Sequence, residues 1–67
     1  MKTRLKAIRM RQMISKGELA KSAGLSIPTI DRIENGYDCR PKTKRKLLGA
    51  LGISIENRHE VFPDDEE

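Results

Sequence analysis

Cysteine and histidine occur once each, at Cys39 and His59, in a chain of 67 residues. No disulfide can close within it, and a Cys/His zinc site lacks its ligands. Tryptophan is absent, and Tyr37 and Phe62 are the only aromatic residues. Strand signals are equally scarce: no alternating β-branched run is longer than Ile53-Ser54-Ile55. There is no apolar run long enough to span a bilayer and no secretory leader pattern, so a soluble cytoplasmic protein without a membrane partner is expected. No Ser/His/Asp constellation, glycine-rich phosphate loop or metal-spaced ligand set is present. No enzymatic activity, metal, cofactor or small-molecule substrate is therefore expected.

Charge is plentiful and unevenly placed. The net charge is +4, but residues 1–52 carry thirteen Lys/Arg against four acids, whereas residues 53–67 carry Arg58 against six acids. A basic body with an acidic end fits a polyanion-binding surface whose tail stays off it, and equally a merely charge-rich solvated surface. The length allows one domain, expected over residues 1–62, with residues 63–67 as an acidic, disordered tail.

Helical periodicity fills the rest. Leu5, Ile8 and Gln12 share a face, with Met1 and Met13 near its ends, which predicts a first helix over residues 3–12. Ile14 then precedes Ser15 as a hydrophobic staple, and Ser15 with Glu18 forms an S-x-x-E capping box that opens a second helix. Leu19, Ala20 and Ala23 give that helix its buried face, and Gly24 supplies a left-handed terminator. Ser26 caps a third helix with Pro28 in its first turn; Ile30 and Ile33 face inward, and Asn35-Gly36 ends it. Two helices joined by a short glycine-containing turn are the helix-turn-helix signature. A fourth helix is expected over residues 43–51, capped by Thr43 and ended by Gly52, with Gly49 admitting close approach of another helix. A fifth, over residues 55–61 and capped by Ser54, would let Val61 and Phe62 fold back onto the core before Pro63 stops it. The expected fold is an all-α, compact five-helix bundle.

The sequence GELAKSAGLSIPTIDRIENG, followed by RP and then ALGIS, resembles the Cro/cI-type helix-turn-helix proteins, also called the Xre family, over roughly residues 4–56. The resemblance implies a lambda-repressor-like DNA-binding domain and control of transcription as a bacterial or phage regulator, acting in the cytoplasm on nucleoid DNA. It also implies a homodimer on an operator-like site in double-stranded DNA. It puts Ile27, Pro28, Asp31 and Arg32 on the groove-facing side of the recognition helix, residues 26–35. Phosphate or minor-groove contacts would come from Lys16, Ser26, Thr29, Asn35, Tyr37, Arg40, Lys42 and Lys44, with the Asn35-Gly36 turn offering backbone N–H groups. Arg9 would pair with Glu34, and the last helix would supply the dimer contact.

The residues themselves weight these roles differently. Arg32 can make a bidentate contact to guanine O6 and N7, whereas Ile27 and Pro28 can only touch thymine methyls. That apolar pair also suits a protein-contact patch, so an interaction module on the same fold, such as an antitoxin, anti-repressor or adaptor, is the alternative to a sequence-specific regulator. A non-specific nucleic-acid binder is a third reading. Arg40, Lys42, Lys44, Arg45 and Lys46 crowd a helix N-terminus, a natural phosphate seat, with Lys46 expected to point away. Tyr37 suits either a phosphate contact or a cover for the recognition helix. Cys39, with basic neighbours, is a plain loop thiol or one with a lowered pKa. Ile55, Val61 and Phe62 are the expected dimer contacts.

Overall fold

The computed structural model describes residues 2–65; the expectations for Met1, Glu66 and Glu67 lie outside them. Four α-helices, α1 (Leu5–Arg11), α2 (Lys16–Ala23), α3 (Ile27–Glu34) and α4 (Pro41–Leu51), are followed by a 3₁₀ segment, Ile55–Glu60. No strand occurs among the described residues, and no helix there is long and apolar enough to cross a membrane.

Local chemistry accounts for most helix ends. The Ser15 side chain accepts from the Glu18 N–H at 3.0 Å, and the Ser15 N–H donates to Glu18 Oε1 at 3.0 Å, so both halves of the capping box form. Gly24 closes α2 at φ +68, a left-handed conformation that costs a side-chain-bearing residue steric strain. The Ser26 side chain accepts from the Thr29 N–H, and Pro28 sits in the first turn of α3, where a missing N–H breaks no helical bond. Met13 takes the same left-handed role after α1 at φ +58 without glycine's freedom.

Three helices differ in extent or type from expectation: the first begins at Leu5, with Arg4 as its N-cap, and not at residue 3. The fourth helix begins at Pro41 with Arg40 as its N-cap, two residues before Thr43. Proline's fixed φ starts a helix as readily as a capping hydroxyl, and Thr43 falls inside the first turn. The last helix is 3₁₀ rather than α, with non-helical dihedrals at Asn57, and Ser54 makes no side-chain cap to its backbone. The Ser54 hydroxyl is instead within 3.1 Å of Asn57 Nδ2.

The core collects Leu5 and Ile8 from α1, Leu19, Ala20 and Ala23 from α2, Ile30 and Ile33 from α3, and Leu47, Leu48 and Leu51 from α4. Val61 and Phe62 complete it, both fully buried. Two backbone-anchored ties join α1 and its lead-in to the C-terminal part of the fold. The Arg4 N–H donates to the Val61 carbonyl at 2.8 Å, and Gln12 Nε2 donates to the Leu51 carbonyl at 2.8 Å. Gly49 is exposed, and a Cβ placed there would meet nothing within 4 Å, so no helix approaches it. The acidic end is not free where it is described. Asp65 Oδ1 lies 2.5 Å from Lys44 Nζ and Asp65 Oδ2 lies 2.8 Å from Arg58 Nε, which folds residues 63–65 against α4.

Candidate nucleic-acid interface

Helix α3 buries Ile30 and Ile33 and thereby turns Ile27, Pro28, Asp31 and Arg32 to solvent, as their one- and four-residue spacing on a 3.6-residue repeat requires. Ile27 is 53% exposed, with its Cδ1 end near Gly17 at the start of α2. Arg32 reaches only the Thr29 hydroxyl, at 3.5 Å, and has no carboxylate partner among the described residues. The two carboxylates that could neutralise it are engaged elsewhere. Glu34 holds Arg9, with Arg9 Nε to Glu34 Oε2 at 2.7 Å, and Asp31 holds Lys16, with Nζ to Oδ1 at 2.6 Å. Arg32 is thus a guanidinium whose donors remain for an outside acceptor.

The Arg9–Glu34 pair supports this face from behind. Arg9 also donates through Nη1 to the Ile14 carbonyl at 3.0 Å, which ties α1, the α1–α2 turn and the end of α3 together. The hydrogen bond to Glu34 raises the Arg9 pKa above its ordinary value and outweighs desolvation, so the guanidinium stays charged. The Lys16 hydrogen bond and charge lower the Asp31 pKa in the same way.

Around this face the polar groups divide. Ser26 Oγ and Thr29 Oγ1 are 2.8 Å apart, and Ser26 is already engaged in capping. Asn35 Nδ2 donates to the Asp31 carbonyl at 2.9 Å. The Asn35-Gly36 turn does not present free backbone donors. The Asn35 N–H bonds the Asp31 and Arg32 carbonyls, the Gly36 N–H bonds Ile33 O, and the Tyr37 N–H bonds Arg32 O. These close the end of α3, so the expectation that they serve phosphate is corrected. Tyr37 itself is 63% exposed and does not cover the helix.

Arg40, Lys42, Arg45 and Lys46 are exposed at the start of α4, whose N-terminus has no side-chain cap. Lys44 is not among them. Its ammonium is drawn to Asp65 and lies 5.5 Å from the centre of the Phe62 ring, so the expected phosphate contact is replaced by an intramolecular one. Val61 and Phe62 are also corrected: both have 0% exposure and serve the core, which leaves Ile55, 53% exposed, as the one accessible residue of the expected dimer set. Ile55 borders a shallow groove with Pro41, Leu48 and Phe62 on its apolar side and Lys44, Arg45, Arg58 and Asp65 at its rim. The Cys39 thiol is pushed up in pKa by burial, against the pull of Lys44, so the reading of a lowered pKa is corrected as well. His59 is exposed, with Nε2 2.8 Å from the Asp65 carbonyl oxygen.

The residues that sequence reasoning missed are Gln12 and Asp65. Both act through contacts far along the chain, and neither carries a local pattern that signals it.

The helix-turn-helix family profile matches residues 5–57, from the start of α1 into the 3₁₀ segment. The chain belongs to this family, in its Cro/cI (Xre) type. It is also 37% identical over 67 residues to an uncharacterized HTH-type transcriptional regulator of Methanocaldococcus jannaschii, with 98% of this chain and 100% of that protein covered. In this helix-turn-helix chain, α2 and α3 are the paired helices.

Proposed function

We propose that this chain is a DNA-binding transcriptional regulator of the repressor type, which lays α3 in the major groove of an operator-like duplex. The observation that carries the reading is the state of Arg32: outward on the recognition helix, with no carboxylate partner among the described residues, on a helix whose end is tied to α1 by Arg9 and Glu34. A guanidinium so placed suits the O6 and N7 edge of guanine. Arg40 and Lys42, with Arg45 behind them, supply phosphate contacts at the uncapped start of α4 and set the register of α3 on the duplex. A homodimer through Ile55 and its adjoining groove would place two recognition helices about one helical turn apart. Sedimentation equilibrium with and without duplex tests that part, and a monomer in both conditions contradicts it.

A mixed pool of duplexes titrated against salt tests the reading as a whole. Several phosphate contacts require a steep fall in affinity as salt rises. A flat response, or no binding, supports the second reading, a protein-interaction module, for which the exposed Ile27 beside Pro28 is the motivating feature.

A further inference from the structure

The outward face of α3 carries a carboxylate next to its arginine, and a lysine from a different helix is bonded to that carboxylate. With Ile27 and Pro28 apolar, Asp31 and Arg32 are the two of the four groove-facing side chains able to hydrogen-bond a base edge. An uncompensated carboxylate in a groove walled by phosphates would be repelled. Lys16 removes that repulsion. Its Nζ is 2.6 Å from Asp31 Oδ1, across fifteen residues of sequence, and Lys6 of α1 adds a further favourable charge at longer range. One carboxylate oxygen is therefore committed to Lys16, while Oδ2 accepts no hydrogen bond from any described residue.

We infer that Asp31 is a base-reading acceptor, neutralised and oriented by Lys16, and that it takes the exocyclic amino group of a cytosine next to the guanine taken by Arg32. Two amino groups donate into the major groove, adenine N6 and cytosine N4. Adenine sets its N7 acceptor beside the donor, which repels a carboxylate, so cytosine N4 is the better match, while a guanine offers only acceptors to an arginine. The pair Asp31 and Arg32 thus asks for a half-site with adjacent G·C pairs. Lys16 acts here as a positioning residue and not as a phosphate anchor. The inference rests on the DNA-binding function proposed above.

Duplexes recovered by the wild-type protein from a random pool define the preferred site, and competition with single-base variants of that site measures each preference. Asp31→Ala should lower the preference for cytosine at one position by about 5- to 150-fold and leave the neighbouring guanine preference in place. Lys16→Gln should weaken binding to the best site, and this weakening should vanish when Lys16→Gln is made in the Asp31→Ala background, because no carboxylate charge is left to compensate. Uniformly tighter binding by Asp31→Ala with unchanged base preference overturns the inference and makes Asp31 a plain repulsive charge. So does a Lys16→Gln loss that persists in the Asp31→Ala background, which would make Lys16 a phosphate contact. Wild-type protein that binds no duplex overturns the DNA-binding function and this inference with it, whereas binding without a cytosine dependence overturns this inference alone.

Discussion

Arg9 Nε sits 2.7 Å from Glu34 Oε2, with the two side chains 11% and 4% exposed, so α1 is joined to the end of α3 by a largely dehydrated ion pair. Removing one partner of such a pair strands the other charge in a poorly solvated site, at a cost of about 3 kcal/mol or more. Glu34→Ala should therefore lower the urea midpoint sharply in a domain of this size. The double replacement Arg9→Met with Glu34→Leu should lose much less than Glu34→Ala alone, because no charge is left unpaired.

Gly49 lies in the middle of α4, exposed, with open space where a Cβ would go. Gly49→Ala should stabilise the protein by about 1 kcal/mol through helix propensity and a less flexible unfolded chain. Thermal unfolding should show a rise of roughly 4–8 °C for a domain of this length. A fall in the midpoint would mean that a neighbour packs there after all.

The basic cluster of α4 should split by residue. Arg40→Ala and Lys42→Ala should each weaken DNA binding at all sequences and reduce the salt slope by about 1. Lys44→Ala should leave that slope unchanged and lower thermal stability instead, since its ammonium is held by Asp65 inside the fold. Binding isotherms at several salt concentrations, paired with melting curves, separate the two behaviours.

Acid should release the C-terminal tie. Hydrogen bonds from Lys44 and then Arg58 hold the Asp65 carboxyl below its ordinary value of 3.8. A folded-state pKa below the unfolded one means the contribution to stability is complete above the unfolded value and is lost as pH falls through the folded value. Stability measured by chemical denaturation should thus decline below about pH 4, and Asp65→Asn should flatten part of that decline while lowering stability at neutral pH.

How far the sequence could be read follows from how local each feature is. The capping box at Ser15 and Glu18, the glycine stop at Gly24 and the inward Ile30 and Ile33 depend on neighbours within four residues, so α2 and α3 are legible. The start of α4 was not, because Arg40-Pro41 and Thr43 are both sound helix openings and only the packing of Leu47 and Leu48 decides between them. Val61 and Phe62 carry two readings in the sequence, folding back onto the core and contacting a second copy, and their full burial, with the Arg4 N–H bonded to the Val61 carbonyl, leaves only the first. Lys44 reads as a phosphate ligand because its partner, Asp65, lies twenty-one residues away in an acidic run that local composition marks as a tail. On the outward face of α3, residue types and helical phase place Arg32 in solvent, but its freedom from Asp31 and Glu34 depends on where Lys16 and Arg9 reach.

The proposed function requires the outward face of α3 to read DNA through Arg32. Selection from a random duplex pool by the wild-type protein and by Arg32→Ala tests it most directly. The expected result is one guanine preferred by the wild type and lost in Arg32→Ala, at a cost of about 1–3 kcal/mol at that position, with phosphate-driven affinity retained. Equal weakening of every sequence by Arg32→Ala, or a wild-type pool with no preferred base, would contradict it.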